Sequence, residues 1–134
     1  MTVAALDVGN TKIFPSPMRP VRATARNDDG PRTVLRKLSE NGLDSIYVTD
    51  RERKLLGLIS ADAADQAAKE GKQNLDGLIH NDFPKVGPDE PLHNLFAMFC
   101  DKSYPIAVVD DDQRLLGVVV KGAVLAELAE AGAH

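Results

Sequence analysis

The sequence predicts an α/β (α+β) protein made of two copies of one small unit, and three observations carry that reading. Sliding the chain by 60 residues aligns 30–70 with 90–130 without a gap and gives ten identities in 41 positions. Apolar residues then recur at helical spacing in one part of each copy and form short β-branched runs in another. The third observation is size: a unit of about 60 residues buries only about 60% of its unfolded surface, so two copies in tandem supply an interior that one lacks.

The identities are Pro31/Pro91, Leu35/Leu95, Ile46/Ile106, Val48/Val108, Asp50/Asp110, Leu55/Leu115, Leu56/Leu116, Gly57/Gly117, Ala63/Ala123 and Glu70/Glu130. Pro31 and Pro91 suit the first position of a helix, where a missing N–H costs nothing. Val34, Leu35 and Leu38 in one copy, and Leu92, Leu95, Phe96 and Phe99 in the other, follow at three- and four-residue spacing. Gly42 is expected to end the first helix. Two strands follow, Ser45–Thr49 and Leu55–Ser60, joined by the charged turn 50–54. The second copy repeats them as 105–109 and 115–120 around the turn 110–114, and an Ala-rich helix closes each copy at 61–70 and 122–131. Extended segments containing Pro20 or Pro84 lead into the two units, and a short helix around Leu75–Ile79 is expected within the linker 71–81. The expected architecture is a pseudo-twofold pair of small sheets flanked by helices. Residues 1–17 form an arm or linker, 18–72 the first repeat and 73–134 the second.

Composition narrows the function classes. A net charge of -4 in 134 residues argues against a nucleic-acid binder, which carries a basic face. Residues 1–72 hold twelve Lys/Arg against ten Asp/Glu, whereas 73–134 hold four against ten, so the halves differ in sign, +2 against -6. Within the first half, 12–37 is a basic run of net +5, read as a solubilising arm or as a surface meeting an acidic or phosphate-bearing partner. Such a surface would weaken as salt shortens the Debye length from about 8 Å to about 3 Å. One cysteine, Cys100, fits a reducing, cytoplasmic setting and reads as packed filler on its helix. No apolar stretch reaches the roughly 18 residues of a membrane span.

No catalytic constellation emerges. His80, His93 and His134 share no spacing with a nucleophile or a carboxylate pair. The triple acid 110–112 lacks calcium-loop spacing and aligns with the turn at 50–52, so it reads as a solvated turn. The chain also lacks the G-x-x-x-x-G-K-[ST] loop that cradles nucleotide phosphates in an ATPase.

The double pattern of an apolar strand ending in Asp, a charged turn and a Leu-Gly-apolar-apolar strand resembles the cystathionine-β-synthase (CBS) motif. It stands here as Ser45-Ile46-Tyr47-Val48-Thr49-Asp50 with Leu56-Gly57-Leu58-Ile59-Ser60, and as Pro105-Ile106-Ala107-Val108-Val109-Asp110 with Leu116-Gly117-Val118-Val119-Val120. The entry Pro17-Met18-Arg19-Pro20-Val21 fits the same pattern. Gly30-Pro31-Arg32, Ser60-Ala61-Asp62, Leu75-Asp76-Gly77-Leu78-Ile79 and Val119-Val120-Lys121-Gly122 are further similar to the C-terminal CBS pair of glycine betaine/proline ABC transporter ATPase subunits. The resemblance implies a non-catalytic regulatory module that homodimerises, meets a transporter ATPase domain and membrane subunits at the inner face of the membrane, and senses ionic strength or a small ligand. It implies no certain cofactor. An adenine nucleotide or a cyclic dinucleotide is the ligand class it leaves open, with a stand-alone sensor and a structural dimerisation module as the alternatives.

In the family's ligand pattern a Ser or Thr follows the Gly-apolar-apolar strand, with an Asp three residues later. Ser60 fits, but position 63 is Ala63 and the carboxylate stands at Asp62, about 100° around the helix. The second copy has Val120 and Ala123. The candidate ligand residues are therefore Ser60, Asp62, Tyr104 at a strand entrance, and Lys121, where a cation could meet a phosphate. Capping is the alternative for Ser60 and Asp62, packing for Tyr104 and solvation for Lys121.

Overall fold

The computed structural model describes residues 18–101 and 105–132. The arm at 1–17 and Tyr104 lie outside the described residues, as does the side chain of Cys100. Six strands and four helices follow one another as β1 (Thr24–Arg26), α1 (Pro31–Asn41), β2 (Ser45–Thr49), β3 (Leu55–Ser60), α2 (Ala61–Lys69), β4 (Lys85–Val86), α3 (Leu92–Asp101), β5 (Ile106–Val109), β6 (Leu115–Val119) and α4 (Lys121–Gly132). Both copies thus fold as β-α-β-β-α. Each forms a three-stranded sheet in sequence order, β1-β2-β3 and β4-β5-β6.

The chain forms two compact units. The first holds Val21–Asp82 with Asp112–Leu115, and the second holds 18–20, Phe83–Asp111 and 116–132 of the described residues. In the first unit β1 runs parallel to β2, which pairs antiparallel with β3. Its core gathers Ala25, Val34, Leu38, Ile46, Val48, Ile59, Ala64 and Leu75. These are the inward residues of the strands and one stripe of each helix, as the periodicities require. Gly42, in the left-handed region at φ 62°, ends α1 because it has no Cβ to clash there. From the middle of α1, Lys37 Nζ donates to Asp29 Oδ2 at 2.8 Å in the connection after β1 and to the carbonyl of Thr24 in β1 at 3.2 Å. Partial burial pushes the Asp29 carboxyl up, but the Arg26 N–H and the Lys37 ammonium together hold it below its ordinary value.

In the second unit β4 runs parallel to β5. Its core holds Leu92, Leu95, Phe99, Ile106, Val108, Val119 and Val124, with Met18 packed against it. The strands bury equivalent positions in both units (Ile46/Ile106, Val48/Val108, Ile59/Val119), but the leading helices do not. α1 buries Pro31, Val34 and Leu38 and leaves Leu35 half-buried; α3 buries Leu92, Leu95 and Phe99. The inward stripe is displaced by one residue, so the aligned pair Leu35/Leu95 has two different environments.

The linker departs from expectation: 75–79 is a single turn and not a helix. Leu78 N bonds Leu75 O at 3.0 Å, Asn74 Oδ1 accepts from Asp76 N at 3.1 Å, and Gly77 takes a left-handed φ of 78°. A side-chain-stabilised turn ending in a left-handed glycine cannot propagate the helical ladder. Leu75 is nevertheless buried in the first unit's core. α3 starts at Leu92, just after Pro91, and α4 starts at Lys121, one residue before expected.

Candidate functional site at the strand-to-helix edges

In the first unit β3 delivers the chain directly into α2. Ser60 is the N-cap: its hydroxyl accepts from Ala63 N at 3.2 Å, and its extended backbone (φ -84°, ψ 155°) opens the helix. Asp62 is exposed in the first turn, where a carboxylate favours the helix dipole. The last residues of the linker cross this strand. His80 and Leu58 form an antiparallel bridge, with N–H to O distances of 2.8 and 3.0 Å in the two directions. Gly57 makes the crossing feasible, because a Cβ there would lie 2.3 Å from Ile79 Cγ2 and 2.6 Å from the His80 carbonyl.

The second unit repeats this construction with different chemistry. Arg19 and Val118 bridge at 2.8 and 2.9 Å, and a Cβ on Gly117 would meet the Arg19 carbonyl at 2.5 Å and Met18 Cγ at 2.9 Å. Val120 stands at the N-cap position, its carbonyl accepting from Ala123 N and Val124 N at 3.0 and 3.2 Å, and it has no side-chain oxygen to offer. Lys121 is exposed at the first residue of α4. A cation there opposes the dipole, by about 0.3–1 kcal/mol when fully exposed.

Of the four candidates, Ser60 and Asp62 share one edge of the first unit and Lys121 holds the equivalent edge of the second. Tyr104 lies outside the described residues. The sequence reading passed over the crossing segments, which add His80 and Asn81 to the first edge and Met18 and Arg19 to the second. A glycine in the middle of each apolar strand, Gly57 and Gly117, was the available signal, since such a residue marks close backbone approach. The first edge is thus a hydroxyl, a carboxylate and exposed backbone beside a crossing strand, suited to hydrogen-bonding a polar ligand. The second is apolar at Val120, 40% exposed, and flanked by cationic residues. Among the described residues no group of three or more His, Cys, Asp or Glu is placed to hold a metal ion. None of the helices described is long and apolar enough to cross a membrane.

Comparison with known proteins agrees with this geometry. The CBS domain family model matches twice, over residues 13–66 and 75–130. The glycine betaine transport ATP-binding protein OpuAA of Bacillus subtilis (strain 168) is 41% identical over 106 residues, which are 79% of this chain and 25% of that protein. The chain therefore spans about a quarter of that relative's length. Among solved structures, Staphylococcus aureus OpuCA matches with a TM-score of 0.71 at 21% identity, covering 84% of this chain and 95% of that one. CbpB in complex with c-di-AMP matches with a TM-score of 0.84 at 14% identity, covering 98% and 93%. Two copies of one β-α-β-β-α unit, each with an extended segment bridged to a strand over a strand glycine and each matched by the same family model, make this chain a tandem pair of CBS domains.

Proposed function

We propose that the chain is the regulatory CBS pair of a glycine betaine/proline ABC transporter ATPase subunit, sensing ionic strength or a small ligand and modulating transport. The observation that carries this reading is the 41% identity to OpuAA across 79% of the chain, which far exceeds what a shared fold alone produces. In this reading the pair is non-catalytic, spans the repeats 18–72 and 73–134 behind an arm at 1–17, and homodimerises. It acts at the cytoplasmic face of the membrane through the ATPase domain and membrane subunits. Coupling of about 1–3 kcal/mol between signal and activity is enough for such control, and a few contacts that differ between two states supply it.

The ligand class is an adenine nucleotide or cyclic dinucleotide, contacted by Ser60, Asp62, Tyr104 and Lys121. CbpB, which has this fold along almost the whole chain, is solved with c-di-AMP, and that supports the cyclic dinucleotide and the stand-alone sensor as the second reading. The absence of a carboxylate at Ala63 and of a hydroxyl at Val120 weighs against a ribose held as in the family pattern. The cation at Lys121 suits phosphate oxygens instead.

The regulatory reading is tested by exchanging this chain for the CBS pair of an OpuAA-type ATPase and recording glycine betaine uptake against external osmolality. An osmotic threshold that persists with this chain and disappears when it is deleted supports the reading. Uptake of equal size and threshold with and without the chain rejects it.

A further inference from the structure

In the first unit β1 pairs with β2 in the register Thr24↔Tyr47, Ala25↔Val48 and Arg26↔Thr49. Ala25 and Val48 enter the apolar core, so strand alternation brings Thr24, Tyr47, Arg26 and Thr49 out on the opposite face of the sheet. That face is polar and shielded from water: Thr49 is 3% exposed and Tyr47 8%. Burial alone pushes the Tyr47 phenol up to about 12. The Arg26 Nε is buried as well, and it has no hydrogen-bond partner among the described residues. The fold does not demand this chemistry. In the second unit the register Lys85↔Ala107 and Val86↔Val108 repeats that of the first, and the aligned partners of Tyr47 and Thr49 are Ala107 and Val109, both buried. The residue after Val86, where the first unit has Arg26, is Gly87.

We propose that Arg26 and Thr49 form an oxyanion site: one anion oxygen accepts from the Arg26 Nε–H, a second from an Nη–H of the same guanidinium, and the Thr49 hydroxyl completes the contact. A buried cationic N–H without an acceptor is costly, and the planar fork of a guanidinium matches two oxygens of a carboxylate or a phosphate group. Asp29 does not supply the acceptor. Its Oδ2 accepts from the Arg26 backbone N–H at 2.9 Å and from Lys37 Nζ at 2.8 Å, and the Arg26 cation acts on it only across space. The backbone is held in place, with Asp29 N donating to the Arg26 carbonyl at 2.9 Å and Asn27 N to the Thr49 carbonyl at 3.0 Å. Arg26, Lys37 and Asp29 together carry one net positive charge, which a single anionic group offsets. Ser60 pairs with Ser45 at the other end of β2, four residues and roughly 13 Å from Thr49. The site is therefore separate from the candidate ligand edge and does not depend on the transporter reading.

The test follows the arginine side chains of the full chain by proton–nitrogen correlation spectra, with the Arg26 Nε–H resonance identified by its loss in Arg26→Lys. Sodium acetate and sodium phosphate are titrated separately, with sodium chloride holding the ionic strength constant. A saturable shift of the Arg26 Nε–H resonance is expected, and the arm with the lower dissociation constant tells whether a carboxylate or a phosphate is the preferred group. Thr49→Val keeps the shape of the side chain and matches Val109 of the second unit, so it leaves the sheet intact while weakening the anion about tenfold. Backbone amides of Asn27 and Thr49 report binding in Arg26→Lys, which keeps the charge without the fork and is expected to lose saturation. A resonance that does not distinguish acetate or phosphate from chloride assigns the Arg26 Nε–H to water and overturns the site. Undiminished saturable binding in Arg26→Lys overturns it too, and an unchanged constant in Thr49→Val removes the hydroxyl from it.

Discussion

Lys54 and Arg114, sixty residues apart, stand opposite one another in an isolated antiparallel bridge within the first unit. Leu55 N donates to Gln113 O at 2.8 Å and Leu115 N donates to Arg53 O at 2.9 Å, so the two turns exchange the same bond. The offset that aligns the repeats in sequence is also the offset across the bridge. Two cations opposite one another would repel, and each has a carboxylate on its own turn: Glu52 at 3.7 Å from Lys54 and Asp112 at 2.7 Å from Arg114.

The residue before each bridge partner is left-handed without being glycine, with φ 68° at Arg53 and φ 66° at Gln113. An L side chain costs about 1–2 kcal/mol in that region, part of which glycine recovers. Gln113→Gly is expected to stabilise the protein by about 0.5–1 kcal/mol in urea unfolding. Arg53→Gly gains less, because it also removes the bond from Arg53 Nη2 to the Leu115 carbonyl at 3.2 Å.

Gly57→Ala places a Cβ against the His80 carbonyl and forces the crossing segment away from β3. A loss of about 2–3 kcal/mol is expected, in the upper part of the usual range for overpacking. Hydrogen exchange at His80 N and Leu58 N reads out the bridge, and both amides are expected to lose protection selectively. Unchanged protection at these amides would contradict the crossing geometry.

Ser60→Ala removes the cap of α2 and is expected to cost about 1 kcal/mol without any ligand. A role in ligand contact adds a second effect: the midpoint shift produced by the ligand shrinks beyond the shift in the unliganded protein. Equal shifts with and without ligand assign Ser60 to capping alone.

Burial pushes the Tyr47 phenol up to about 12 from its ordinary value of 10. Because the folded value is the higher, this contribution to stability is fully present below pH 10 and is lost as pH rises from 10 towards 12. Unfolding free energy is expected to fall across that window and Tyr47→Phe to fall less. The chain has no tryptophan and two tyrosines, so tyrosinate absorbance follows the ionisation directly.

The strands and their core positions were legible because short apolar, β-branched runs bounded by charged turns leave a strong mark: β2 from Ile46 to Thr49 and β5 from Ile106 to Val109 are buried without a break, and Ile46, Val48, Ile59 and their counterparts are apolar in both copies. The helix faces were less so, since Leu35 and Leu95 align in sequence while their helices turn different stripes inward. The crossing of Arg19 over Val118 and of His80 over Leu58 is a long-range pairing through backbone atoms, which leave no side-chain pattern beyond the two glycines. The linker misled for a local reason: Leu75, Leu78 and Ile79 have helical spacing, but Asn74 and Gly77 close a turn.

The central claim is that this CBS pair responds to a small ligand or to salt, and thermal unfolding of the purified chain tests it most directly. AMP, ATP, c-di-AMP and glycine betaine are each titrated, and KCl is varied alongside, with the dimer followed by light scattering. A ligand at 100 times its dissociation constant adds about 2.7 kcal/mol, a midpoint rise of several degrees for a chain of this size. The account predicts a saturable rise with an adenine-containing nucleotide, reduced by Lys121→Ala, or a dimer constant that changes steeply with KCl. A midpoint that stays flat with every ligand, together with a dimer indifferent to salt, would contradict it.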